Sequence, residues 1–341
     1  EKFYYNAEKK EYPQSILDYL EINKNQLPNV VDPGTNVGNL NKELIEEFGF
    51  SDEVNIFITT YDALCAFWGS GAFEEGEACN VTGTSTSFRV CCKEKINPTN
   101  NLFFQYFIKE DLNIIGASNN ISGGLLEWAK LAFYKDVIEN ENTKEDVFKI
   151  MEKEAMSVGT GASGLIFLPY LIGERAPFFD TDVRGLFLGI ERSHYRQHFI
   201  KSIYEAIAFL SKDLLNSIEE QGIEVKNIRI SGGITKNNHL MQILADVLEK
   251  NIMITEEIET TGLGAFMIIA YHNTKYESLN ELGKIVKIKK IIKPIKENSN
   301  KYRYIFRLFK ETYLQTIDLF DLRKRVCNKL KLGEDHTLNN L

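Results

Sequence analysis

Three short stretches of this 341-residue chain carry residue types suited to handling a phosphorylated ligand. The first is GTSTS at 83–87, a glycine followed by hydroxyl residues between two β-branched runs. The backbone N–H groups of such a tight turn, with the Thr84 and Ser85 hydroxyls beside them, can point at a phosphate. An ordinary hairpin turn reads the same way. The second is Ser231-Gly232-Gly233, where the apolar run IRI ends in two glycines ahead of a helix from about Asn237. A nucleotide can approach bare backbone and a helix N-terminus there, and a plain strand-to-helix turn is the alternative. The third is Asp62, which follows the apolar run 54–59 and precedes a helix, at the end of a strand where α/β proteins place functional groups. As a general base, Asp62 would take the proton of a substrate hydroxyl while the oxygen attacks phosphorus; the plainer alternative is a helix cap.

The elements that must position these groups follow from periodicity. Residues 1–58 read as two short amphipathic helices around a Pro/Gly loop, LPNVVDPGTNVGNL, then a strand over 54–59. The chain opens on a strand-like FYYN run, and a helix is expected over 63–69 with a turn at 71–76. Residues 79–109 look strand-rich, and a domain boundary is expected near that turn. Beyond come a helix in SGGLLEWAKLAFY, a charged helix ending near Met156, strands in LIFLPYL and LFLGI, a helix over 198–221, the strand IRIS and a helix over 237–249. Strands feeding helices in this order define an α/β protein. In the Lys-rich stretches KIVKIKKIIKPIK and RLFK the lysines alternate with apolar residues, which predicts a strand or helix with one solvated face rather than an anion site.

Composition narrows the function classes. With 40 Lys+Arg against 48 Asp+Glu the net charge is −8, and 43% of residues are hydrophobic. Nucleic acid and membrane surfaces are therefore poor partners, and a small substrate is the better expectation. No run approaches the roughly 20 apolar residues of a membrane span. Five cysteines, at 65, 79, 91, 92 and 327, form no CxxC pair, which fits reduced thiols and a cytoplasmic location. His194 and His198 have metal-like spacing without a third ligand, so no metal site is expected from them. Neither GxGxxG nor a Walker loop occurs. Asp32 to Thr35, DPGT, looks like the phosphate hairpin of actin-like ATPases but has no alternating strands around it, and a loop is expected.

Taken in order, these segments resemble the FGGY carbohydrate kinases, a branch of the actin-like, ribonuclease-H-like ATPases that includes xylulokinase, gluconokinase and glycerol kinase. LPNVVDPGTNVGNL resembles the family's LPxV segment and TTYDALCAFWGSG its GGxDxxxAAxGxG block. NVTGTSTSF resembles the second phosphate motif, LIFLPYLIGERAPFFDTDVRGLFLGI the ERxPxxDxxxRGxFxGL segment, and SGGITKNNHLMQILADVL the adenosine motif. Residues 185–205 fit the second family signature at each constrained position.

The resemblance implies an actin-like (ribonuclease H-like) α/β fold, with a complete C-terminal ATP-binding domain at 73–341 and a partial N-terminal, sugar-binding domain at 1–72. It implies ATP and Mg²⁺ as cofactors, a sugar as the small-molecule partner, and a homodimer whose interface nothing in the sequence locates. Asp62 matches the catalytic base. Gly83 and Thr84, with Ser85 adjoining, match residues that hold the ATP phosphates. Gly123 matches a glycine beside those phosphates, and Glu127 stands where relatives often carry Gln. Gly232, Gly233 and Asn237 fall in the adenosine motif. The resemblance starts part-way through the first domain, so the DxGTxxxR hairpin, the acidic residue that helps hold Mg²⁺ and most sugar contacts are expected to be absent, and the chain to be a fragment. Thr59-Thr60-Tyr61 stand where relatives usually have glycines. The expected activity is phosphoryl transfer from ATP to a sugar hydroxyl, a xylulose-type ketopentose first, from LPNVVDPG, and gluconate second, from GERAPFFD and GASNN. The other expectation is a non-catalytic nucleotide-binding remnant.

Overall fold

A computed structural model describes residues 5, 6, 9, 11–92, 104–109, 112–140, 145–257, 259–273 and 276–332. The N-terminal segment holds α1 (Gln14–Tyr19), β1 (Asn36–Asn39), α2 (Lys42–Phe48) and β2 (Asn55–Phe57). Then come α3 (Asp62–Ser70), β3 (Glu77–Thr82), β4 (Thr86–Cys92), β5 (Phe104–Lys109), β6 (Leu112–Ser118), α4 (Gly124–Phe133), α5 (Lys135–Ile138) and α6 (Val147–Met156). The remainder is β7 (Ile166–Leu168), β8 (Leu186–Leu188), α7 (Arg196–Glu219), β9 (Asn227–Ser231), α8 (Asn238–Leu248), β10 (Asn251–Thr255), α9 (Thr260–His272), α10 (Leu279–Gly283), β11 (Ile288–Ile292) and α11 (Lys296–Leu330). The strand-like run at 3–6 lies partly outside the described residues.

Seven strands form one sheet in the order β11-β10-β9-β3-β4-β6-β5. β3, β4 and β6 make an antiparallel meander, and β9 and β10 return on the other side of β3, parallel to it. This is the mixed order expected of an actin-like ATPase domain. Both faces of the central strands are covered, so β3 and β4 bury side chains on either side of the sheet even where these are polar. Successive side chains alternate between two cores: Ala78, Val90 and Ile115 join the cluster with α7, α8 and α11, whereas Cys79, Cys91 and Ile114 join the one with α3, α9 and α10. The buried cysteines thus act as small core residues.

α3, which begins with Asp62, lies against α9 at backbone contact. A Cβ on Gly69 would stand 1.8 Å from the Thr260 carbonyl oxygen, and one on Gly264 1.7 Å from that of Cys65. Only glycine permits this approach. The 32–35 loop docks on the end of α9, with Asn273 Nδ2 donating to the Gly34 carbonyl at 3.2 Å. Sequence reading expects no strand beside DPGT, but β1 follows at once and pairs antiparallel with β2. Its polar residues Asn36, Gly38 and Asn39 give no apolar alternation to read. Most of the 35-residue α11 is likewise unassigned by sequence, which reads only RLFK within it as a strand or helix, whereas the longer Lys-rich run does form a strand, β11, with its middle lysines exposed.

Candidate active site

The carboxyl ends of β3 and β9, which are neighbours in the sheet, release the two glycine-bearing loops on the same side. β3 and β4 are joined through Gly83, Thr84 and Ser85, with Thr82 facing Thr86 across the ladder. Gly83 N–H donates to the Ser85 carbonyl at 3.0 Å, closing the turn. The turn is then tied to the start of α4: the Thr84 carbonyl accepts from Ser122 N–H at 2.7 Å and from Gly124 N–H at 3.1 Å. Asn119 holds its base, with Oδ1 accepting from Thr86 N–H at 2.7 Å. At Gly123 a Cβ would lie 2.2 Å from the Gly83 carbonyl oxygen, so the helix start and the turn touch backbone to backbone.

Gly232 ends β9 at φ 99°, and a Cβ there would lie 2.9 Å from the Thr82 carbonyl oxygen. A 3₁₀ turn, Gly233–Lys236, leads into α8, which Asn237 caps. Asn237 Oδ1 accepts from Leu240 N–H, and its Nδ2 donates to the Tyr204 hydroxyl, both at 2.8 Å. Burial pushes the Tyr204 phenol up and out of reach of ionisation. The Asn237 amide is thus positioned by the cap and by α7, with one N–H and one oxygen lone pair remaining.

A cleft of about 500 Å³ opens between these loops, α4 and α6. Of the residues singled out by sequence, Gly83, Thr84, Gly123, Glu127, Gly233 and Asn237 line it; Ser85, Gly232 and Asp62 do not. Nothing would lie within 4 Å of a Cβ at Gly83 or Gly233, so bare backbone fronts open space at both. Glu127 is exposed and pairs with Lys130 at 3.4 Å. Asp62 opens α3 with an exposed carboxylate, its Oδ1 accepting from Ala63 N–H at 2.7 Å.

Sequence reading misses the far wall. Phe148, Lys149 and Glu152 of α6, and Lys236 of the 3₁₀ turn, face the cleft. Glu152 Oε1 accepts from His239 N–H at 2.9 Å, which braces α6 against the start of α8. The only sequence signal was a charged helix in this stretch; its placement across the cleft is a tertiary contact. The ERxP segment also has a structural task. Buried Glu174 accepts at Oε1 from the N–H groups of Asn120 and Arg175, both at 2.7 Å, while Arg175 Nη2 donates to the Asn119 carbonyl. This segment therefore supports the strand-end loop that supports the 83–85 turn. Burial raises the Glu174 carboxyl to about 7, against the pull of those two N–H bonds.

The open glycine backbone and the N-terminus of α4 suit a polyphosphate. No group of three or more His, Cys, Asp or Glu among the described residues could hold a metal ion. A divalent cation would accompany the phosphates, supplying neutralisation of their charge. His194 and His198 spend their Nδ1 atoms on the backbone N–H groups of Glu191 and Tyr195.

This sheet order, with its central turn, helix start and strand-end loop sharing one cleft, defines an actin-like ATPase fold. The chain belongs to the FGGY family of carbohydrate kinases: the model of that family's N-terminal domain matches residues 1–69 and that of its C-terminal domain residues 78–272. It is 27% identical over 314 residues to xylulose kinase of Bacillus subtilis, covering 91% of this chain and 61% of that one. It is 29% identical over 271 residues to gluconokinase of Bacillus licheniformis, covering 79% and 53%. A ligand-bound xylulose kinase from Lactobacillus acidophilus superposes with a TM-score of 0.80 at 24% identity, over 92% of this chain and 62% of that one. The chain thus spans about three fifths or less of the length of these relatives. FGGY kinases use ATP as phosphate donor.

Proposed function

We propose that the protein transfers the γ-phosphate of ATP to a sugar hydroxyl, and that the cleft between the 83–85 turn, the start of α4 and the 233–237 loop is the ATP site. The observation that carries this reading is the convergence of those three segments, distant in sequence, on one open cleft walled by bare backbone. In this reading Gly83 and Thr84 hold phosphates, with Ser85 adjoining them in the turn but set back from the cleft, Gly123 lets the turn and the helix start close on them, and Gly233 and Asn237 receive the adenosine. Asp62 takes the proton of the attacking hydroxyl. Phosphoryl transfer needs positioning and charge neutralisation more than covalent chemistry, and the site supplies backbone donors for that purpose. A ketopentose of the xylulose type is the first acceptor to test and gluconate the second, following the relatives of those names.

The test is ADP release from Mg·ATP with xylulose, ribulose, gluconate and glycerol, run beside Asp62→Asn. Removing a general base should cost about 10²–10⁴ in turnover while ATP affinity stays unchanged. Sugar-independent behaviour of both proteins would sink the assignment. A second reading, a nucleotide-binding module without turnover, is favoured by the position of Asp62 outside the cleft wall. It predicts ATP binding with no ADP release under any acceptor.

A further inference from the structure

One buried charge has no part in the phosphate site. Lys201 of α7 is 2% exposed, and its ammonium lies 4.0 Å from the Glu205 carboxylate and 3.0 Å from His239 Nε2. Glu205, itself 1% exposed, accepts at Oε1 from Gly161 N–H at 2.7 Å and from the Tyr302 hydroxyl of α11 at 3.0 Å. A line of polar contacts therefore runs from α11 through α7 to His239, the second residue of α8. Burying an ammonium is costly unless it is paired and hydrogen-bonded, so Lys201 holds its partners firmly. His239 carries the line to the wall of the cleft. Its backbone N–H donates to Glu152 Oε1 at 2.9 Å, and its ring bonds the Ala155 carbonyl in the last turn of α6, where the helical ladder ends. An ammonium can only donate, so Nε2 accepts from Lys201, and the neutral ring carries its proton on Nδ1, the nitrogen left for Ala155. Burial and the Lys201 charge keep the ring neutral, lowering its pKa to about 4.

We propose that His239 is a positioning residue for the nucleotide: Lys201 fixes the tautomer and orientation of its ring, and the ring holds the α6 wall at a set distance from the 233–237 loop. The inference rests on the reading of that cleft as the ATP site. Glu152 of α6 and Asn237, two residues before His239, line its opposite sides. The two walls are 87 residues apart in sequence where they meet, so tertiary contacts alone set the width between them, and His239 supplies two of these. Its backbone contact survives any substitution that keeps the N–H. The ring contacts do not, and they are what the side chain adds.

Amide side chains separate the two ring contacts. His239→Asn keeps a donor near the position of Nδ1 but falls short of Lys201, whereas His239→Gln reaches Lys201 with an acceptor and offers the Ala155 carbonyl no donor at the Nδ1 position. The measurements are ATP titration by calorimetry and hydrogen exchange of the nucleotide-free protein. In His239→Gln the amides of α6 should exchange faster than in wild type while those of α7 keep their protection. Its Kd for ATP should rise about tenfold, the result if the untied wall keeps its place about a tenth of the time. His239→Asn should recover most of that loss. General destabilisation would give the reverse order, since it is the Asn variant that leaves the Lys201 ammonium short of a partner. Wild-type affinity in His239→Gln, or a loss as large in His239→Asn, would overturn the positioning role while the ATP reading of the cleft stands. Wild-type exchange of α6 in His239→Gln would overturn the tie itself, whatever the nucleotide does. A wild-type chain that binds no ATP would overturn the reading of the cleft and this role with it.

Discussion

Replacing Gly123 with alanine adds one methyl group at the tightest point of the candidate ATP site. Gly123 has φ −59° and ψ −29°, angles that any residue adopts, so backbone strain does not enter. The cost comes from the new Cβ standing 2.2 Å from the Gly83 carbonyl oxygen. That contact must open by more than about 1 Å to reach ordinary van der Waals separation, and the obstacle is backbone on both sides. The turn can retreat only by stretching the bonds from Ser122 and Gly124 to the Thr84 carbonyl. Overpacking costs about 1–3 kcal/mol, and each weakened hydrogen bond adds up to about 1 kcal/mol. A loss of about 2–4 kcal/mol in stability is therefore expected, with the phosphate turn displaced by a distance that lowers turnover about 10²-fold. The assay is a pair of measurements, urea unfolding and ATP titration by calorimetry, run beside Gly124→Ala. At Gly124 the nearest atom is the Thr84 Cγ2 methyl at 3.0 Å, a side chain that can rotate away, so the urea unfolding of that variant should stay close to wild type, although Thr84 itself lines the cleft. If Gly123→Ala binds ATP and unfolds as Gly124→Ala does, the turn and helix start are not held as described.

Three further variants probe other parts of the argument. Gly233→Val meets no protein atom within 4 Å of its Cβ, so the fold should be kept while ATP binding weakens; unchanged affinity would remove the nucleotide from this loop. Gly264→Ala puts a Cβ 1.7 Å from the Cys65 carbonyl oxygen and must push α3 from α9, with a destabilisation at or above the upper end of about 1–3 kcal/mol and a displaced Asp62; a thermal midpoint equal to wild type would contradict the packing. Glu174 has its folded carboxyl raised by burial from 4.5 to about 7, so the folded state keeps a proton that the unfolded chain has lost between those values. Stability therefore falls as pH rises through that window, by about 3 kcal/mol from this group, and Glu174→Gln should lack that fall. Parallel pH dependences of the two proteins in urea unfolding from pH 5 to 8 would refute the burial argument.

How much of this was legible in the sequence depends on whether the signal was local. The 83–85 turn and the 231–237 loop announce themselves because glycines and hydroxyls between β-branched runs constrain the backbone within a few residues. Asp62 stands out for the same reason, at the junction of an apolar run and a helix. The helix expected over 198–221 starts earlier, at Arg196, because His198 Nδ1 accepts from Tyr195 N–H and caps the first turn in advance of the apolar pattern. Phe148, Lys149 and Glu152 could not be placed, since only tertiary packing carries α6 to the cleft. In α11 the buried Tyr302, Phe309, Tyr313 and Phe320 do follow helical spacing, but lysines and arginines between them mask it.

The topology explains why loops so far apart in sequence arrive at one place. β3 and β9 run parallel and adjacent, so their carboxyl ends must open on the same side of the sheet. β3 leaves by a hairpin and β9 by a 3₁₀ turn into α8, in opposite directions, and a gap between two such exits is where open α/β sheets bind ligands. The gap would collapse if the exits were bulky. It would gape if they were not fastened. Gly123 and Gly232 meet the first demand through their approach to the Gly83 and Thr82 carbonyls. Asn119, with Arg175 and Glu174 behind it, and Asn237, with Tyr204 behind it, meet the second. The ERxP segment and the Gly185-to-Glu205 stretch thus read as the supports of the cleft more than as contacts to its ligand. Substitutions there should move ATP affinity and stability together, whereas substitutions at Gly233 should move affinity alone.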